Sequence, residues 1–143
     1  MTCTLNGETW TALTTRGELQ IVDSPDGIAK RIDIMGSFGL TSSIGLGCAA
    51  EDTDLNEDIP TGTYREDGEN FLTVITYTEG ITPIAVVDGF AEDSAKVIIS
   101  SINATTKKVS GTFEFWAHQW AGEEITHIAT DGVFTNIDYV IVE

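Results

Sequence analysis

Val109-Ser110-Gly111-Thr112-Phe113-Glu114-Phe115-Trp116-Ala117-His118-Gln119-Trp120 decides the fold. Side chains of an extended strand point alternately to opposite faces. Here Val109, Gly111, Phe113 and Phe115 share one face, and Glu114, Trp116, His118 and Trp120 share the other. The first face reads as core. The second carries two indoles and a histidine beside an acid, which is costly in water unless something covers it. The cover is a protein partner, a sugar ring stacked on indole, or a loop of the same chain. Tryptophan is a preferred interface anchor, so Trp116, His118 and Trp120 are the candidate contact residues.

The same two-residue period extends outward in both directions. Ile28, Ile32, Ile34 and Phe38 alternate with Arg31 and Asp33, and Lys30 interrupts the apolar face near its start. Ser42–Ala50 is apolar, with Gly45 and Gly47 marking a bulge or a close backbone approach. Thr2–Leu5, Thr9–Thr15, Glu18–Val22, Phe71–Tyr77, Ile81–Val87, Ala95–Asn103, Glu124–Ala129 and Val133–Val142 also read as strands. Asn6-Gly7 is the strongest hairpin signal. Further turns are expected at Asp23–Gly27, Asp88-Gly89, Ala104–Lys108, Ala121-Gly122 and Asp131-Gly132. At most one helical turn fits, over 89–95. Ten or eleven short strands at regular spacing predict an all-β, antiparallel sandwich or flattened barrel, folded as a single domain over 1–143.

Seven Lys and Arg stand against 23 Asp and Glu, a net charge of −16. Nucleic-acid backbones and anionic membranes both demand basic patches, so neither is an expected partner. The longest apolar runs fall short of a membrane span, and no membrane insertion is expected. The chain as given opens with no charged segment leading into an apolar one, hence no signal peptide. If Met1 is the native start, the protein acts inside the cell or leaves it as part of a particle, such as a phage virion. Cys3 and Cys48 pair only if their strands are neighbours; otherwise they are two small buried hydrophobes.

Glu51–Asp58 holds five acids in eight residues and reads as a loop. Asp52, Asp54, Asn56 and Asp58 stand at alternate positions, as in a calcium loop that gathers hard oxygen ligands from one turn. The pattern fails at Glu57, where the turn needs glycine, and at Thr63, where the ion needs a bidentate acid. Calcium is therefore a weak candidate, and no other cofactor is expected. His118 and His127 lack a serine or cysteine in a nucleophile setting. No glycine-rich phosphate loop follows a strand, and no carboxylate pair stands out, so the chain is not expected to be an enzyme.

Leu5-Asn6-Gly7-Glu8-Thr9-Trp10-Thr11-Ala12, Pro60-Thr61-Gly62-Thr63-Tyr64, Val109–Phe115 and Asp131-Gly132-Val133-Phe134-Thr135-Asn136-Ile137 occur in that order over most of the chain. Their order and spacing resemble a family of small β-rich proteins of unknown function from Bacteroidota, usually exported and often lipoproteins. The resemblance implies an extracytoplasmic or cell-surface location and supplies no catalytic residues. Family members usually begin with a signal peptide whose lipid-bearing cysteine precedes the domain, whereas Cys3 falls inside the first expected strand.

The leading expectation is a non-enzymatic structural or interaction protein, a surface or particle component that meets a protein partner or a second copy. A glycan or small-ligand module, using Trp116, Trp120 and Trp10, is the second reading. A calcium-stabilised adhesion domain is the third.

Overall fold

Asn6 and Gly7 both lie at positive φ, 51° and 83°, as a two-residue type I′ hairpin demands. They join β1 (Thr2–Leu5) to β2 (Glu8–Thr11). The computed structural model of the chain describes residues 1–52, 54–66, 68–87, 94–119 and 124–142, without the side chains of 86 and 87. The other strands are β3 (Thr14–Ser24), β4 (Gly27–Phe38), β5 (Ser42–Asp52), β6 (Gly62–Tyr64), β7 (Asn70–Glu79), β8 (Thr82–Val87), β9 (Ala95–Asn103), β10 (Lys108–Gln119) and β11 (Ile125–Val142). Among the described residues there is no helix. The expected helical turn and the turns at Asp88-Gly89 and Ala121-Gly122 fall largely or wholly outside the described residues.

Hydrogen-bonded neighbours run in the order β2-β1-β11-β3-β4-β5-β7-β8-β10-β9-β6, and β10 also pairs with β11. Two strands change partner along their length to make this possible. β11 lies against β1 at Ala129–Val133, and Tyr139–Val142 then run beside Gly17–Gln20 of β3. β10 follows β9 from Lys108 to Phe115, and His118 and Gln119 then meet Val86 and Ala85 of β8. The sheet therefore folds into two faces, β6-β9-β10-β11-β1-β2 and β3-β4-β5-β7-β8, linked at both corners by strands that switch sheets. This is the flattened barrel or sandwich expected. The one departure from antiparallel pairing among the named strands is β3 with β11, which run parallel.

The inward faces fuse into one core. Leu19, Ile32, Ile34, Ile44, Leu46, Val97, Ile99, Phe113, Phe115 and Phe134 belong to a single buried cluster, together with Trp10. Val109, Gly111, Phe113 and Phe115 are all buried, as the alternation requires. Gly111 has no room for a side chain, because a Cβ there would stand 2.6 Å from the Phe134 ring. Phe38 departs from expectation: it ends β4 and projects, 44% exposed.

Two readings are corrected. Asp131-Gly132 does not reverse the chain. Asp131 (φ 53°) and Asn136 (φ 48°) sit in two bulges within one continuous strand, β11. A bulge and a hairpin use the same positive-φ residues, and a bulge sharpens strand bending without ending the strand. That bend helps β11 pass from one face to the other. The expected strand Thr9–Thr15 also divides. Ala12 N–H bonds Met1 O and Leu13 N–H bonds Ser37 O, both at 2.9 Å, so the chain changes partner there.

Candidate functional site

The alternation of β4 turns Lys30 inward with Ile32 and Ile34, and Lys30 is only 1% exposed. A lysine buried in this way needs paired charges around it. Its Nζ lies 2.9 Å from Asp52 Oδ2, 3.1 Å from Asp54 Oδ1 and 3.8 Å from Asp58 Oδ1. Burial by itself would lower the Lys30 pKa. Hydrogen bonds and charge from Asp52 and Asp54 outweigh it and hold the pKa above the ordinary lysine value.

Three of the four residues of the calcium reading thus converge, their carboxylates within 4.8 Å of one another. They converge on an ammonium. Asn56 is exposed, and its backbone N–H donates to Asp54 Oδ1 at 3.0 Å. A cation entering here would compete with Lys30, which is already inside the cluster.

The rest of the acidic segment is also tied down. β5 runs two residues into it, to Asp52. Ile59 is buried. Tyr139 O–H donates to Glu57 O at 2.6 Å, and the Glu57 carboxylate pairs with Lys107. Burial, with Asp58 and Glu57 beside it, pushes the Tyr139 phenol up to about 12. A cleft of about 450 Å³ opens next to this segment, lined by Ser24, Asp26, Glu51, Asp52 and Glu69 among others.

The opposite end of the same strands is chemically different. The β4–β5 turn carries Leu40 and the β7–β8 turn carries Ile81, 95% and 98% exposed. Thr41 N–H bonds Phe38 O at 3.1 Å and Gly80 N–H bonds Thr41 O at 3.0 Å, which holds the two turns together. Leu13 joins them through its bond to Ser37 O. Leu13, Phe38, Leu40 and Ile81 are all exposed and sit on adjoining segments.

The indole face is partly as expected. Trp116 and His118 lie on the outward face of β10, both half-buried, with Ile128 opposite Trp116. Trp116 N–H is bonded to Ser94 O at 2.8 Å, and His118 Nδ1 is 3.1 Å from Gln119 O. Trp120 lies outside the described residues. Trp10 is a core anchor: it is buried, and its Nε1–H donates to Ser42 Oγ at 2.9 Å. His127 is on the inner side, its ring 4.7 Å from that of Tyr77, and burial lowers its pKa.

Cys3 and Cys48 are buried and unbridged. Burial pushes the Cys3 thiol up to about 11 and that of Cys48 higher still. Neither has thiolate character at neutral pH.

Sequence reasoning missed Lys30 as the hub of the acids and missed the apolar turn tips. Both left a signal. Lys30 is a single cation in an apolar face, 22 residues before the first acid it binds. Leu40 and Ile81 each follow a glycine at positive φ, in turns where polar residues are the rule.

The chain belongs to the DUF6252 family, described as a domain of unknown function, which matches residues 2–138. This agrees with the expectation of a family without an assigned role. Nothing among curated proteins or solved structures matches the chain.

Proposed function

We propose that this chain is a non-enzymatic interaction protein, a surface or particle component that works by protein–protein contact through its apolar turn end. The observation that carries the reading is the pair of nearly fully exposed tips, Leu40 and Ile81, flanked by Leu13 and Phe38. Each such side chain gains about 1.5–3 kcal/mol when fully removed from water. Four of them on adjoining segments make a patch that a partner's apolar pocket can cover. Backbone hydrogen bonds tie the two turns to each other, which reduces the ordering entropy that opposes docking. The motif resemblance supports an exported Bacteroidota protein as the setting, with a virion as the other.

The test is the apparent size of the tagged chain in an extract of its own cells. The native chain is expected to run as a complex larger than a dimer, and Leu40→Asp with Ile81→Asp to release it. A native chain that runs at its own size, or a double variant that keeps the complex, contradicts the reading.

One observation favours a ligand module as a second reading. A hollow of about 170 Å³ lies on the outer side of β3-β4-β5-β7, lined by Val22, Ala29, Ala49 and Phe71, with Arg31 and Glu51 beside them. Its aromatic wall is Phe71, whereas Trp10 is buried. Saturation of Phe71 ring signals in a glycan titration would support it, and an unchanged spectrum would remove it.

A further inference from the structure

On the outer side of β3-β4-β5-β7 the apolar hollow and the acidic cleft adjoin. Strand register builds the junction. Ala29 pairs with Val22 on one side and Glu51 on the other. One step along the strands, Ala49 pairs with Arg31 and with Phe71. Two alanines therefore form the floor of the hollow of about 170 Å³, and Val22, Phe71 and the stem of Arg31 form its walls. Ala29 and Glu51 also line the cleft of about 450 Å³, whose lining adds Asp26 and Glu69. An apolar seat thus opens, across a shared boundary, toward three carboxylates.

Neither half is the general character of this sheet surface. The next outward pair along β3 and β4 is Glu18 with Asp33. Val22 is left 47% exposed and Phe71 half-buried. Asp26, Glu51 and Glu69 are exposed and form no ion pair among the described residues. They differ in this from Asp52, Asp54 and Asp58, which Lys30 gathers. Arg31, the cation in the hollow wall, donates twice to Asp33 Oδ1, at 2.9 Å and 3.1 Å. That pair draws its guanidinium along β4, away from Ala29 and the cleft.

We propose that this junction binds a small organic cation, an amine carried on an apolar ring or short chain. The hollow takes the ring: an apolar cavity of about 150 Å³ is enough for benzene. The ammonium then faces Glu51 at the shared boundary, with Asp26 and Glu69 beyond it. Charge selects the sign, because the same three carboxylates repel an anionic ligand. Size selects the class. A seat for one ring is far smaller than a protein contact, so the occupant is a small molecule. The proposal is separate from the turn end. It rests on the second reading above, that the hollow is a ligand site, and names the chemistry of the ligand.

The test follows the Phe71 ring signals of the purified chain in titrations with phenethylamine and with its neutral counterpart, phenethyl alcohol. Exposed ion pairs are individually weak, so two or three together should favour the amine about tenfold. The preference should fade between about 0.02 M and about 0.5 M salt. Glu51→Gln with Glu69→Gln should bring the two ligands level and leave alcohol binding unchanged. Ala29→Leu, at an exposed position whose longer side chain fills the hollow, should abolish both. Equal binding of the two ligands by the native chain overturns the proposal and leaves the hollow as an apolar site. Signals unmoved by either ligand overturn the proposal and the ligand reading of the hollow together. A preference that survives the double variant overturns the proposal alone, because it then comes from the net charge of −16 and not from the cleft. Undiminished amine binding by Ala29→Leu overturns it as well.

Discussion

The two ends of the β4–β5 hairpin meet the same solvent with opposite solutions. At one end Asp52, Asp54 and Asp58 close on Lys30, a residue the strand period forces inward. The Lys30 charge is paired there, and the pairing fastens a loop. At the other end Leu40 and Ile81 stand almost wholly in water, on turns fixed by backbone hydrogen bonds. Nothing in the described chain covers them. A conspicuous run of acids can therefore be structural, while two apolar residues at the other end of the same strands stand free of the core.

The largest effect is expected from removing the cation. Lys30→Ala leaves three carboxylates facing one another, two of them partly exposed, and should cost about 2–4 kcal/mol in denaturant unfolding. The same variant should acquire a melting temperature that rises with calcium, while the native chain melts identically in calcium and in chelator. A native chain stabilised by calcium would show that the ion displaces Lys30 and would restore the calcium-loop reading.

At the other end, Trp10→Phe removes the donor to Ser42, buried beneath the turns. It should cost about 2 kcal/mol, from a lost hydrogen bond and lost volume. No change would mean that this end is softer than its hydrogen bonds imply.

A pH series of melting temperatures sharpens the contrast further. Burial raises Cys3 from 9.0 to about 11 and Tyr139 from 10.0 to about 12. In each window the unfolded chain has already lost the proton that the fold retains, so stability falls as pH rises. Lys30, held above its ordinary value of 10.5, adds to the loss once pH passes that value. Burial of His127 acts at the acid side: its pKa is lowered from 6.5, so stability falls as pH drops below 6.5. The melting temperature should therefore be highest between about pH 7 and pH 9. A maximum outside that range would contradict these assignments.

The smallest effect on stability is expected at the tips. Leu40→Asp and Ile81→Asp should each shift it by no more than about 0.5 kcal/mol, as for exposed turn positions.

Much of the fold was legible because the strand period is strict. Val109 to Phe115 read off their burial directly, and Ala95–Asn103 matched to the residue. What the period could not supply was partner choice. The change at Ala12-Leu13 and the parallel seam of β3 with β11 are set by residues far away in the chain. Asp131-Gly132 carried the signal of a turn because bulges draw on the same backbone conformation. The site was less legible for the same reason. Lys30 and its acids meet only when β4 and β5 pair, and the turns of Leu40 and Ile81 adjoin only because β7 lies next to β5. Of the indole face, Trp116 and His118 were placed correctly on one outward face by the alternation alone.

The central claim is that the apolar turn end, and not the acidic end, meets the partner. The direct measurement is photo-crosslinking in the native cells, with the reactive residue placed in turn at positions 40, 81 and 26. The account predicts one discrete protein adduct from positions 40 and 81 and none from position 26. An adduct from position 26 alone, or none from positions 40 and 81, would contradict it.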